Sequence, residues 1–279
     1  MTNSFILGMG QMLVEGGKPA RNLQRARAMI LCAAEQGCRI AVLPECLDLC
    51  WTHPSARRKA QPIPGPHSEA IAAAAREAGI HVAAGLVERD GDRIHNAAIL
   101  VSPSGEILLK HRKINELTIA HSLYTPGGRL EVVPTPLGVL GITICADNFP
   151  DSLALAHSLA RMGCRLLLSP SAWAVDADHD NEKKPYGALW MKSYTTLAKL
   201  YDLTVIGVSN VGWLTGGPWK GRKCIGCSLA VGPGGNVLSQ GPYGEKAEAL
   251  IPVPVEIKPA RASGTAIADL LRVRGYTGP

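Results

Sequence analysis

Residues 22–45 read NLQRARAMILCAAEQGCRIAVLPE, and this stretch sets the expected architecture. Leu23, Ala26, Ile30 and Ala33 recur at spacings of three and four, which places them on one face of a helix. Gly37 follows and suits the left-handed residue just past a helix end. The branched run Arg39-Ile40-Ala41-Val42-Leu43 then reads as a buried strand. The same order recurs where Ser68 to Gly79 precedes His81-Val82-Ala83-Ala84-Gly85, and where Asp151 to Gly163 precedes Arg165-Leu166-Leu167-Leu168. A fourth unit, Tyr186 to Tyr201 and then Thr204 to Val208, keeps the order without the glycine.

Hairpins interleave with these units. Asn96 to Val101 and Glu106 to Lys110 flank the turn Ser102-Pro103-Ser104-Gly105, and Cys227 to Val231 and Val237 to Gln240 flank Pro233-Gly234-Gly235. The class is α/β, with mixed sheets covered by helices. No linker or low-complexity run breaks the pattern, so residues 1–279 are expected to form a single domain. Residues 261–279 make a C-terminal tail with a short helical pattern, suited either to crossing a dimer interface or to lying on its own subunit.

The bulk composition narrows the function. Lys and Arg number 29 against 23 Asp and Glu, but the excess is scattered, as in Arg57-Arg58-Lys59, and lacks the footprint of a nucleic-acid binder. No window approaches the ~18 apolar residues of a membrane span, and Met1-Thr2-Asn3-Ser4 carries no basic leader, so a soluble cytoplasmic protein is expected. Cys32, Cys38 and Cys164 lie in apolar runs, as reduced thiols do in a reducing compartment.

Three residues stand at the ends of strand-like runs. Glu45 closes Ala41-Val42-Leu43-Pro44-Glu45, at the sheet edge where α/β folds bind ligands. Lys113 follows the second hairpin strand in His111-Arg112-Lys113-Ile114. Cys145 ends Gly138 to Ile144 and enters the turn Ala146-Asp147-Asn148-Phe149-Pro150. A nucleophile on such a strand-to-helix turn is exposed, and turn N–H groups can stabilise negative charge. Taken singly, each also suits a bland role: a solvated strand-end carboxylate, a basic surface cluster and an inert buried thiol.

The order, spacing and local context of Leu-Pro-Glu45, His-Arg-Lys113-Ile and Ile-Cys145-Ala-Asp-Asn-Phe-Pro together resemble the nitrilase superfamily of carbon–nitrogen hydrolases. Further landmarks in register are Gly10-Gln11 with Asn22, His95-Asn96-Ala97-Ala98, Tyr124-Thr125-Pro126-Gly127, and Gly226-Cys227-Ser228 with Pro233-Gly234-Gly235. The resemblance implies a four-layer αββα sandwich with a Glu-Lys-Cys site, no cofactor or metal, and a homodimer or larger homo-oligomer. It implies a small-molecule amide or N-carbamoyl substrate, with no nucleic-acid or membrane partner. A thiol is mostly protonated at neutral pH, so Glu45 would take its proton as base and return it as acid. Lys113 and the backbone N–H of Ala146 would hold the oxyanion of a Cys145 adduct.

Members of the superfamily commonly carry a second glutamate just before the Tyr-Thr-Pro-Gly segment. That alignment falls near Ala120 and His121 here, leaving Glu116 as the nearest replacement. Asp147, two residues after the cysteine, resembles relatives that act on amides more than those that act on nitriles. Ala146, Asn148, Trp173 and His179 are the candidate substrate contacts, Ala146 implying a roomier pocket and Trp173 a wall. Asp176 to Asn181 lacks the ligand rhythm of a hard-cation loop and reads as a loop near the pocket mouth. Cys224-Ile225-Gly226-Cys227 has no second pair at zinc spacing and reads as core, while Gly212 to Gly221, with Trp213 and Trp219, reads as a surface loop. The rival activities are nitrile hydrolysis and acyl transfer to an amine; the rival of another class is a silent binding or regulatory protein.

Overall fold

The computed structural model describes residues 3–276. In chain order the first half contains β1 (Asn3–Gln11), α1 (Pro19–Glu35), β2 (Cys38–Val42), α2 (Ala56–Lys59), α3 (Pro66–Ala78), β3 (His81–Asp90), β4 (Arg93–Val101) and β5 (Ile107–Arg112). The second half begins with β6 (Val132–Thr135), β7 (Gly138–Ile142), α4 (Ala154–Arg161), β8 (Leu166–Ser171), β9 (Ala174–Val175), α5 (Ala188–Tyr201) and β10 (Thr204–Ser209). It ends with β11 (Val211–Trp213), β12 (Lys223–Ile225), β13 (Leu229–Gly232), β14 (Asn236–Gln240), β15 (Ala249–Ile257) and α6 (Ala266–Val273).

Each helix–glycine–strand unit forms where its periodicity places it. Proline opens α1 with a φ already suited to a helix, and Ala26, Ile30 and Ala33 are buried along its inner face. In α3 the Gly65 N–H donates to Ser68 Oγ at 2.9 Å, and Gly79 ends the helix at φ +68°.

Two six-stranded sheets result, in the orders β15-β1-β2-β3-β4-β5 and β14-β13-β10-β8-β7-β6. Their inner faces pack through Leu7, Ile40, Val42 and Leu100 on one side and Leu140, Ile142, Leu168 and Ile206 on the other. The helices α1 and α3 cover the outside of the first sheet, and α4, α5 and α6 cover the outside of the second. This is the αββα sandwich, completed within one chain. Burying a side chain of this size contributes about 1.5–3 kcal/mol, so the layered core dominates the driving force for folding.

One non-local pairing escapes local reading: the first strand β1 pairs antiparallel with β15 along its whole length. The hairpin of β6 and β7 closes the edge of the second sheet. In the tail, α6 packs on the same chain: Ile267 and Leu271 are buried against the α4–α5 layer, and Arg274 Nη2 pairs with Asp202 Oδ2 at 2.7 Å. The tail's last residues, 277–279, lie outside the described residues. No described helix is long and apolar enough to cross a membrane.

Candidate active site

The strands β2 and β3 run parallel, as do β7 and β8. The antiparallel steps from β3 to β4 and from β4 to β5 restore the direction of β5. Chain segments leaving β2, β5, β7 and β8 therefore emerge at one end of the sandwich, carrying Glu45, Lys113, Cys145 and Trp173. The Glu45 N–H donates to Ser171 O at 3.2 Å and stitches the two sheets together at that end.

Close approach holds Glu45 in place. Gly85 N donates to Pro44 O at 3.0 Å, and Leu47 N donates to Gly85 O at 2.9 Å. A Cβ on Gly85 would lie 2.5 Å from Glu45 Cα, so only glycine fits. Glu45 Oε1 accepts from Lys113 Nζ at 2.8 Å and from Asn96 Nδ2 at 2.6 Å. Its other oxygen, Oε2, is buried and has no hydrogen-bond partner among the described residues.

Lys113 is buried with its Nζ 3.8 Å from Glu116 Oε2 and 5.9 Å from the centroid of the Trp51 ring. Its backbone carbonyl accepts from Gly127 N at 2.7 Å, so the Tyr-Thr-Pro-Gly landmark cradles the lysine. Burial works against the ammonium, yet Glu45, Glu116 and Cys145 outweigh it and hold the pKa well above the ordinary lysine value.

Cys145 opens a short 3-10 turn, Cys145–Asn148, at φ +45°. A non-glycine residue in that region costs about 1–3 kcal/mol and needs support from its surroundings. Asp147 supplies it. Its Oδ2 accepts from Ile144 N at 2.9 Å and pairs with His111 Nε2 at 2.8 Å, while Oδ1 accepts from Asn115 N at 2.7 Å and Ile114 N at 3.1 Å. Asp147 thus ties the cysteine turn to the segment just after Lys113. Burial raises the Asp147 pKa, but His111 and the surrounding N–H groups of Asn115 and Ile144 outweigh it and leave the carboxyl below its usual range. Burial raises the Cys145 thiol far above its ordinary value and the facing Glu45 adds to this; Lys113 and the Ala172 backbone only partly oppose them.

The structure brings Glu116 to the lysine, where burial pushes its carboxyl up to about 7; Lys113 partly offsets this, and Glu45 and Asp147 add repulsion. Between the unfolded value of 4.5 and the folded value of about 7, the folded chain keeps a proton that the unfolded chain has released. Stability contributed by this group is therefore complete below pH 4.5 and lost as pH rises towards 7. The slope reaches about 1.4 kcal/mol per pH unit for one proton. Glu116→Gln is expected to flatten the pH dependence of the urea midpoint across that window. An unchanged slope would show that Glu116 does not titrate there.

A cavity of about 360 Å3 opens beside the three residues. Ala146, Trp173 and His179 line it, with Glu45, Lys113 and Cys145 at its wall. Asn148 does not line it. The 3-10 turn points its amide into the protein, where Nδ2 donates to Thr143 Oγ1 and Ser169 Oγ, each at 2.9 Å. That corrects the expectation of a substrate contact. The segment Gly212 to Gly221 is likewise more than surface: Trp213 is exposed, but Trp219 lines the cavity and packs 4.8 Å from the Trp51 ring. Sequence reasoning also passed over Asn96, which the His-Asn-Ala-Ala landmark contained, and the lining residues Trp51, Phe149, Tyr186 and Trp190.

The carbon-nitrogen hydrolase family model matches residues 7–262. Omega-amidase NIT2 of Danio rerio is 32% identical over 182 residues, covering 61% of this chain; the chain spans 64% of that relative's length. A nitrilase of Pyrococcus abyssi is 31% identical over 228 residues, covering 80% of this chain and 79% of the relative. In fold, the chain is similar to a carbon-nitrogen hydrolase from Helicobacter pylori, with a TM-score of 0.78, 20% identity, and 97% and 93% of the two chains covered. It is also similar to an amidase of the nitrilase superfamily from Nesterenkonia, with a TM-score of 0.77, 20% identity, and 96% and 93% covered. With the family model matched across nearly its whole length, the chain belongs to the carbon–nitrogen hydrolase family.

Proposed function

We propose that this chain hydrolyses the carbon–nitrogen bond of small carboxamides or N-carbamoyl compounds through a thioester on Cys145. The observation that carries the reading is the convergence of Glu45, Lys113 and Cys145 on one cavity wall, with Glu45 bonded to Lys113 at 2.8 Å. With burial and the facing Glu45 raising the thiol, its proton passes to Glu45 as sulfur attacks the carbonyl carbon. The carbonyl electron pair moves onto oxygen, where the Lys113 ammonium and the Ala146 N–H stabilise the oxyanion. Its collapse breaks the carbon–nitrogen bond, and Glu45 returns the proton to the departing nitrogen. Water then gives a proton to Glu45 and attacks the thioester. The acid leaves and sulfur recovers the proton, so amide and water become carboxylic acid and ammonia.

Similarity to omega-amidases supports this reading. So does a variant of the Nesterenkonia amidase, described with the acetamide moiety of fluoroacetamide added covalently at its active-site cysteine. Nitrile hydrolysis is the second reading, favoured by the Pyrococcus abyssi relative. The experiment is ammonia release from an amide, an N-carbamoyl compound and a nitrile that carry the same organic group R, as R–CONH2, R–NH–CONH2 and R–CN. A site that hydrogen-bonds an amide rejects an analogue lacking its hydrogens, so the amide or carbamoyl compound is expected to exceed the nitrile in kcat/KM by about 100-fold or more. A nitrile preference would overturn the assignment.

A further inference from the structure

Resting on the amide-hydrolase reading above, we infer that the acyl group this site accepts is aromatic, or comparably bulky and apolar, and uncharged at its far end. Aromatic side chains from both halves of the sandwich surround the reacting thiol. Trp173, just past β8, stacks on Trp190 of α5 with ring centroids 4.9 Å apart and planes 18° apart. Phe149, at the end of the cysteine turn, packs 5.4 Å from Trp190. Trp51, from the loop after Glu45, pairs with Trp219 of the β11–β12 loop at 4.8 Å. Ala146 presents only a methyl group beside the nucleophile, so a ring can come close to Cys145. A cavity of about 360 Å3 has room for a six-membered ring with its carboxamide, and planar faces of this kind reward an aromatic guest.

The charges point the same way. Among the described residues lining the cavity there is no arginine; Lys113 is already paired with Glu45, and Lys184 is exposed. A carboxylate on the acyl group would lose its water with only His179 Nε2, buried in the lining without a hydrogen-bond partner among the described residues, and the exposed Lys184 to meet it, and no buried cation free to pair with it.

The test is ammonia release by the full chain from acetamide, phenylacetamide and succinamate. Phenylacetamide is expected to exceed each of the others in kcat/KM by about 100-fold or more, since apolar pockets discriminate about 10–200-fold per methylene. The half-buried Phe149 and Trp219 supply the variants. Phe149→Ala and Trp219→Ala are each expected to lower phenylacetamide turnover at least about tenfold more than acetamide turnover. Ammonia release that favours acetamide or succinamate would overturn the apolar-acyl inference and leave the hydrolase reading standing. No ammonia from any amide would overturn both.

Discussion

Cys145→Ala is expected to lower amide hydrolysis by about 10^5-fold or more, measured as ammonia release, because the proposed covalent route loses its only attacking atom. Glu45 would still face the cavity and Lys113 would still await an oxyanion, but no thioester could form. The fold should survive, because alanine at φ +45° bears about the same backbone strain as the cysteine it replaces, and Asp147 still ties down the turn through backbone N–H groups. A thermal melt close to that of the parent protein would confirm that the loss is chemical. Retention of more than about a hundredth of the activity would mean that water attacks directly, and the covalent account would fail.

Lys113→Met should damage both rate and fold. Removing one oxyanion donor typically lowers kcat by about 10^2–10^3-fold. Removing the cation also strands Glu45 and Glu116, both buried, and breaking a buried pair on one side costs about 3–5 kcal/mol. The deficit carries a pH signature. Glu116 is already raised to about 7 with the ammonium beside it, and without that charge its carboxyl shifts further up. A carboxyl with a raised folded pKa favours the folded state below its unfolded value and disfavours it as pH climbs. The variant's deficit relative to the parent should therefore widen above about pH 7, where the parent's Glu116 ionises and the variant's stays protonated, as read from urea midpoints. A deficit independent of pH would remove the electrostatic explanation.

The parts legible in the sequence are those written in local pattern. Helix periodicity and a glycine after it place α1 with β2 and α3 with β3, since both signals act over a few residues. Glu45, Lys113 and Cys145 were visible because each closes a strand. The landmarks were visible too, but their work shows only in three dimensions. Gln11 Oε1 accepts from Ser228 N at 3.1 Å and Ser228 Oγ at 2.9 Å, so two landmarks some two hundred residues apart are one joint. The pairing of β1 with β15 is equally non-local and leaves no mark in either strand alone.

Side-chain direction leaves little trace in local pattern. Asn148 sits three residues after the nucleophile, yet a 3-10 turn sends its amide to Thr143 and Ser169. Trp51, Trp190 and Trp219 come from two loops and a helix, and no periodicity says that loop tryptophans will meet over one cavity. Gly85 looked like an ordinary strand residue; only the approach of the Glu45 backbone reveals why a side chain is forbidden there.

The central claim is that carbon–nitrogen cleavage passes through an acyl group on Cys145. Rapid acid quenching during turnover of an amide, followed by intact-mass and peptide-mass measurement, tests it most directly. A mass increase equal to the acyl group, confined to the peptide carrying Cys145, is the expected result. Ammonia released in a first turnover with the protein mass unchanged, or with the acyl group on another residue, would contradict it.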